Sequence, residues 1–221
     1  FEAIDLPLIR YVARTGKPMI ISTGMANLEE IGEAISAARE GGCKELAVLH
    51  CVSGYPAPAA DYNLRTVPDM ARRFGLVTGL SDHTLDNTTA IASAVLGASI
   101  VEKHFTLDRK GGGPDDSFSL EPKELQALCC DVYTAWSAIG EVNYGTKSSE
   151  QGNAQFRRSL YFVKDLQAGD RVTAEAVRSV RPGYGLAPKY YDQIIGRQLR
   201  CSVTDKMPVT ANLFEDQVGL K

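Results

Sequence analysis

No stretch of this chain stays apolar long enough to span a bilayer. The longest candidate, residues 90–101, is about a dozen residues and is broken by Ser93, Gly97 and Ser99, whereas a spanning helix needs about 20. An excess of positive charge is also missing. The 24 Lys and Arg stand against 27 Asp and Glu, giving a net charge of −3 and a pI near 5.7. That balance argues against nucleic acid or an anionic membrane as a partner. The five cysteines, Cys43, Cys51, Cys129, Cys130 and Cys201, are odd in number and lack any CxxC spacing. The expectation is free, buried thiols in a cytoplasmic protein. The chain begins at Phe1 with neither Met nor a targeting signal, directly in a helical pattern of Leu6, Ile9 and Val12. This reads as the interior of a longer protein.

What is present is an ordinary globular balance, 44% hydrophobic and 23% charged over 221 residues. That suffices for one large core or two smaller ones. From about residue 17 to 106 the pattern repeats strand, loop, helix. Strands are expected at 18–22, 46–53, 76–81 and 99–105. The helix after the first strand opens with Asn27 as cap and Glu29 and Glu30 in its first turn, matching the partial positive charge of a helix start. Leu28, Ile31, Ile35 and Ala38 then keep helical spacing until Gly41 and Gly42. Further helices are expected around 67–74, closed by Gly75, around 90–95, ended by Gly97, and over 121–139. Four βα units with near-continuous apolar strands imply a parallel sheet covered by helices. Four units with no other sheet partner suit half of an eight-stranded (β/α)8 barrel better than a closed domain.

Residues 141–157 are polar and read as a linker. Beyond them the pattern changes to short extended segments at 159–163, 178–181, 199–203 and 207–210, with a small capped helical turn at 173–175. This predicts a second, mostly β module over 158–218.

Polar residues gather where the strands of the first module end: Ser22, Ser53, Ser81 and His83, and His104. Ligands of α/β sheets bind at the carboxyl ends of strands. His83 and His104 close two successive strands joined by one helix, so both imidazoles are expected on one rim, where imidazole commonly ligates metal. Two buried histidines satisfied by hydrogen bonds remain the alternative on spacing alone. His50 alternates with Cys51 and Ser53 and should face away from the site if Ser53 faces it. Lys103 should likewise point opposite to His104, and Glu102 shares the face of His104, where it would either polarise a ligand or buttress the barrel.

Several segments together resemble the nonulosonic (sialic-type) acid synthases. They are Ile-Ser-Thr-Gly-Met (21–25), Leu-His-Cys-Val-Ser-Gly-Tyr-Pro-Ala-Pro (49–58), Gly-Leu-Ser-Asp-His-Thr-Leu (79–85), Glu-Lys-His-Phe-Thr-Leu-Asp (102–108), Gly-Pro-Asp (113–115), Ser-Leu-Glu-Pro (119–122), Arg-Arg-Ser-Leu (157–160) and Arg-Pro-Gly (181–183). The resemblance implies the C-terminal half of a TIM barrel followed by an antifreeze-like SAF domain, with the first half of the barrel lying outside this chain. It implies condensation of phosphoenolpyruvate with an open-chain N-acylated amino sugar, giving a nine-carbon 2-keto acid and phosphate. It implies a divalent metal, manganese first with magnesium or cobalt as alternatives, held by His83 and His104.

The same resemblance assigns Ser22, Ser53 and Ser81 to phosphoenolpyruvate, although the position of Ser53 is often Asn in the family. It assigns Glu2, Tyr55 and Asp115 to the sugar, with Phe156 as an apolar sugar contact. Arg181 would reach into the barrel of a partner copy, implying a domain-swapped homodimer. A key lysine of the fourth barrel strand is absent here, so the chain alone is expected to be inactive, with two open strand edges. Residues 112–122, 157–161 and 181–190 look closest to the pseudaminic acid branch. The sialic and legionaminic branches more often carry His after Gly-Pro-Asp and lack Phe at position 118; Asp116 departs from the small residue usual in the pseudaminic branch. Two other classes compete: a non-catalytic carbohydrate-binding remnant, and a metal-dependent barrel hydrolase, which would want further ligands from the first strand.

Overall fold

The computed structural model describes residues 1–216 and Gly219. The chain divides into two compact units, Phe1–Glu141 and Val142–Lys221.

In the first unit a short 3-10 helix, Glu2–Ile4, precedes α1 (Leu6–Ala13), whose first turn is capped by the Asp5 carboxylate accepting from Leu8 N–H. Four parallel strands follow in sheet order β1–β2–β3–β4: β1 (Met19–Ser22), β2 (Leu46–Cys51), β3 (Val77–Asp82) and β4 (Ile100–Lys103). They alternate with α2 (Leu28–Glu40), α3 (Thr66–Phe74) and α4 (Thr88–Val95), and α5 (Pro122–Ile139) closes the unit. Asn27 and Glu30 make a reciprocal capping box at the start of α2, worth about 1 kcal/mol at the cap.

Register decides which residues share a face. Ser22, Leu49, Gly79 and Ile100 form one row across the sheet, and Cys51, Ser81 and Glu102 form another on the same side. Met19, Ile21 and Val48 occupy the opposite side, where they pack with Ile9 and Ile35 of the covering helices. The sheet is therefore clad on its outer face and open on its inner one, where Ile20 and Val77 are each about half exposed. This is the C-terminal half of a TIM barrel, with β1 and β4 each pairing on one side only among the described residues. At Gly79 the strands approach so closely that a Cβ would overlap the Ile100 carbonyl oxygen and lie 2.6 Å from Leu49 Cδ2.

The second unit contains one two-stranded antiparallel sheet, β5 (Ser159–Phe162) with β6 (Val177–Val180). Isolated bridges such as Leu166 to Val203 and Leu199 to Phe214 extend it. Its core is built from Leu160, Phe162, Val172, Ile194, Leu199 and Phe214. A short α6 (Tyr191–Ile194) lies within it.

Several expectations need correction. Within the expected linker, residues 148–156 form a 3-10 helix. The segment 173–175 makes one turn, closed by Ala176 N–H to the Thr173 carbonyl, without a helix. Its lone capping sequence is too short to nucleate one. The cysteines are all free, but only Cys43 and Cys51 are buried. Cys129 and Cys130 are exposed because α5 buries little more than Leu128. The expected end of the second module at 218 lies outside the described residues.

Candidate active site

The turn after β3 delivers His83, and the residue after β4 is His104. Their ring centroids are 5.2 Å apart, with planes at 62°. His83 is buried, and its Nδ1 lies 2.8 Å from the Val52 carbonyl oxygen. A carbonyl only accepts, so Nδ1 carries the proton and the Nε2 lone pair is left for another partner. Tyr55 lies over the His83 ring at 4.3 Å and meets His104 edge-on at 5.6 Å. Phe118 closes the cluster, 5.1 Å from the His104 ring and 5.6 Å from Tyr55. Asp115 Oδ2 stands 3.5 Å from His104 Nδ1.

Polar groups of the inner face surround these rings. Ser81 Oγ donates to Glu102 Oε1 at 2.8 Å. The Cys51 thiol sits among His83, Ser22 and Ser81. Its burial works to raise its pKa, but hydrogen bonds to those three groups outweigh that and hold it below the usual thiol range. For His83 the balance is the mirror image. Burial works to lower it, and the bonds to Cys51 and the Val52 carbonyl, with the charges of Cys51 and Asp82, raise it. The Tyr55 hydroxyl is pushed up by burial and then by the charges of Cys51, Asp115, Glu102 and Glu2. Ser53 lies against Gly24, where a Cβ would overlap Ser53 Oγ and come 3.1 Å from Cys51 Sγ. Only a glycine lets the chain after β1 settle there.

The two imidazoles fit a shared divalent ion. With metal–nitrogen distances of about 2.1 Å, two rings on neighbouring coordination positions stand with centroids about 5 Å apart. Among the described residues no group of three or more His, Cys, Asp or Glu is arranged to hold a metal. Two imidazoles would supply an ion with two nitrogens and leave several positions for water or substrate oxygens, a donor set that suits a mixed nitrogen–oxygen ion.

The sequence matches the NeuB family over residues 1–144 and the SAF domain over residues 157–215. The chain belongs to the NeuB family. NeuB relatives include the pseudaminic acid synthase of Helicobacter pylori, 36% identical across 97% of this chain and 64% of that protein. The N,N'-diacetyllegionaminic acid synthase of Campylobacter jejuni is 37% identical across 89% and 60%. The crystal structure of the spore coat polysaccharide biosynthesis protein spsE of Bacillus subtilis superimposes with a TM-score of 0.60 at 30% identity, covering 97% of this chain and 65% of that one. The chain thus spans somewhat less than two thirds of the length of these NeuB relatives. No helix among the described residues is long and apolar enough to cross a membrane.

Of the residues singled out in the sequence, the first unit brings His83, His104, Tyr55 and Asp115 into one cluster, with Ser22 and Ser81 on the Cys51 thiol and Ser53 against Gly24. Glu2 lies exposed, outside these contacts. Phe156 and Arg181 lie exposed in the second unit, Phe156 at the end of its 3-10 helix and Arg181 just after β6. His50 and Lys103 sit in the outer-face rows. The His50 Nε2 binds the Tyr62 carbonyl. Asp116, the departure from the family pattern, turns onto its own loop and accepts from Gly113 N–H at 2.7 Å. Sequence reasoning missed two participants. Cys51 shares the inner face with Ser81, a position that strand alternation alone would have disclosed. Phe118 reaches His104 and Tyr55 from the segment after β4, whose path no local pattern announces.

Proposed function

We propose that this chain carries the metal- and aldehyde-handling half of a synthase that joins phosphoenolpyruvate to an open-chain N-acylated amino sugar, with the pseudaminic acid type as the first reading. The observation that carries it is the pair of neighbouring imidazoles at the tips of β3 and β4, with His83 Nδ1 engaged by the Val52 carbonyl so that the lone pair sits on Nε2.

His83 and His104 would hold a divalent cation, most suitably Mn²⁺, which when bound supplies Lewis-acid polarisation of the aldehyde oxygen. Ser22, Ser53 and Ser81 would donate to the phosphate and carboxylate of phosphoenolpyruvate without adding charge. Tyr55, Asp115 and Glu2 would orient the sugar. Its aldehyde carbon then receives C3 of the enol, water adds at C2, and cleavage of the C–O bond releases phosphate and leaves the keto acid. Phe156 and Arg181 of a partner copy would complete the sugar site in a homodimer.

The test is phosphate release by a form of the protein with a complete barrel, comparing N-acetylmannosamine with 2,4-diacetamido-6-deoxy hexoses. Release that requires both phosphoenolpyruvate and a hexose, and that is lost in His83→Ala and His104→Ala, is the expected result. Phosphate release from phosphoenolpyruvate without any sugar would refute the condensation. The legionaminic and sialic types are the outcomes if the preferred hexose differs.

A further inference from the structure

Behind the two histidines, on the helix-clad side of the sheet, lies a buried ion pair that the proposed chemistry does not use. Lys103 Nζ is 2.9 Å from Asp82 Oδ2, with side-chain exposures of 3% and 0%. The same ammonium donates to the Thr84 carbonyl at 2.7 Å and to the Asp86 carbonyl at 2.8 Å. The other oxygen of Asp82 accepts from Thr84 N–H at 2.9 Å. The Tyr62 hydroxyl interacts with the Asp82 carboxylate and accepts from His83 N–H at 2.6 Å.

The placement is specific. Asp82 and Lys103 are the last register partners of β3 and β4, and each immediately precedes one of the site histidines. The backbone ladder between the strands ends there, so nothing in the sheet itself holds the following residues at a fixed separation. The ammonium takes over that task. It ties the end of β4 to a carboxylate on β3 and to two carbonyls of the loop that carries His83. For stability alone such a pair is a poor choice, because two buried charges lose hydration that apolar side chains of similar volume would not. A directional ammonium with three strong oxygen acceptors does what an apolar pair cannot, which is to set the loop's backbone orientation.

We infer that Lys103 and Asp82 are positioning residues, a clamp on the outer face that sets the distance and orientation between His83 and His104. The inference rests on the reading of those histidines as ligands of one ion.

The experiment compares the full 221-residue chain with Lys103→Met and with the double variant Asp82→Asn/Lys103→Met. Three properties are read: thermal unfolding, Mn²⁺ uptake from the loss of the free-ion electron paramagnetic resonance signal, and the imidazole ¹⁵N spectrum that reports ring tautomers. Lys103→Met leaves a buried carboxylate unpaired and should lower both melting temperature and Mn²⁺ affinity. The double variant removes both charges and should regain most of the melting temperature. Its Mn²⁺ affinity should stay about 10-fold or more below wild type, the scale for lost outer-shell support, and His83 should no longer show a single Nδ1–H tautomer. A double variant that binds Mn²⁺ within twofold of wild type with an unchanged imidazole spectrum overturns the clamp. Wild-type chain that takes up no Mn²⁺ overturns the metal reading instead, and the imidazole spectra then decide the clamp alone.

Discussion

Tyr62 offers the sharpest test of how the site is supported. It is completely buried, its ring packs with Ala57 and Leu80, and its hydroxyl accepts from the buried His83 N–H. Burial, with the nearby Asp82 and Cys51 charges, drives its pKa far above the usual phenol range, so the hydroxyl keeps its proton for the Asp82 carboxylate. Tyr62→Phe retains the ring and its packing and removes only the oxygen. His83 N–H then has no acceptor and Asp82 loses one donor. Leaving a buried donor unsatisfied costs about 1–3 kcal/mol. A middle value of about 2 kcal/mol in a unit of this size, at about 3 °C per kcal/mol, lowers its melting temperature by about 6 °C. Calorimetry resolves the transition of the first unit, with Tyr144→Phe, a fully exposed position, as the control expected to stay within about 0.5 kcal/mol. A Tyr62→Phe transition indistinguishable from that control would refute the support assigned to the hydroxyl.

Other outcomes follow from the same geometry. Gly79→Ala drives a methyl into the Ile100 carbonyl and to 2.9 Å from Ile100 Cβ, where no side-chain rotation relieves it; denaturant titration should show a loss of about 3 kcal/mol. Gly32→Ala in α2 meets nothing within 4 Å and should gain up to about 1 kcal/mol in the same assay. Burial lowers the His50 pKa from 6.5, against the smaller raising effect of the Tyr62 carbonyl. The unfolded chain therefore takes up a proton below pH 6.5 that the folded chain refuses, and His50 makes the fold less stable as pH falls from there toward its folded pKa. Melting curves of His50→Gln and wild type should thus diverge below pH 6.5 in favour of the variant. Differences that stay constant from pH 7.5 to 5 would contradict this. The raised pKa of His83 contributes in the opposite sense, with stability present below 6.5 and lost above its folded pKa, and it is common to both proteins.

Local pattern carried a large part of this protein. Apolar runs ending in polar residues marked all four parallel strands, Asn27 and Glu30 marked the start of α2, and Gly75 and Gly140 stand just beyond α3 and α5. Strand parity separated His50 and Lys103 from the rim residues, because a side chain's face depends only on its place in a two-residue alternation. The second module was less legible. Its extended segments are short and joined mainly by isolated bridges, so no single one carries a period long enough to define its partner.

What the chain determined alone was that two histidines end neighbouring strands. That they face each other at 5.2 Å, with one tautomer chosen, was decided by groups distant in sequence: the Val52 carbonyl, the Tyr55 ring, Phe118 and the buried Tyr62. The physical reason is that imidazole orientation depends on hydrogen bonds and ring packing contributed by other loops, and those loops meet only when the sheet and its helices have packed.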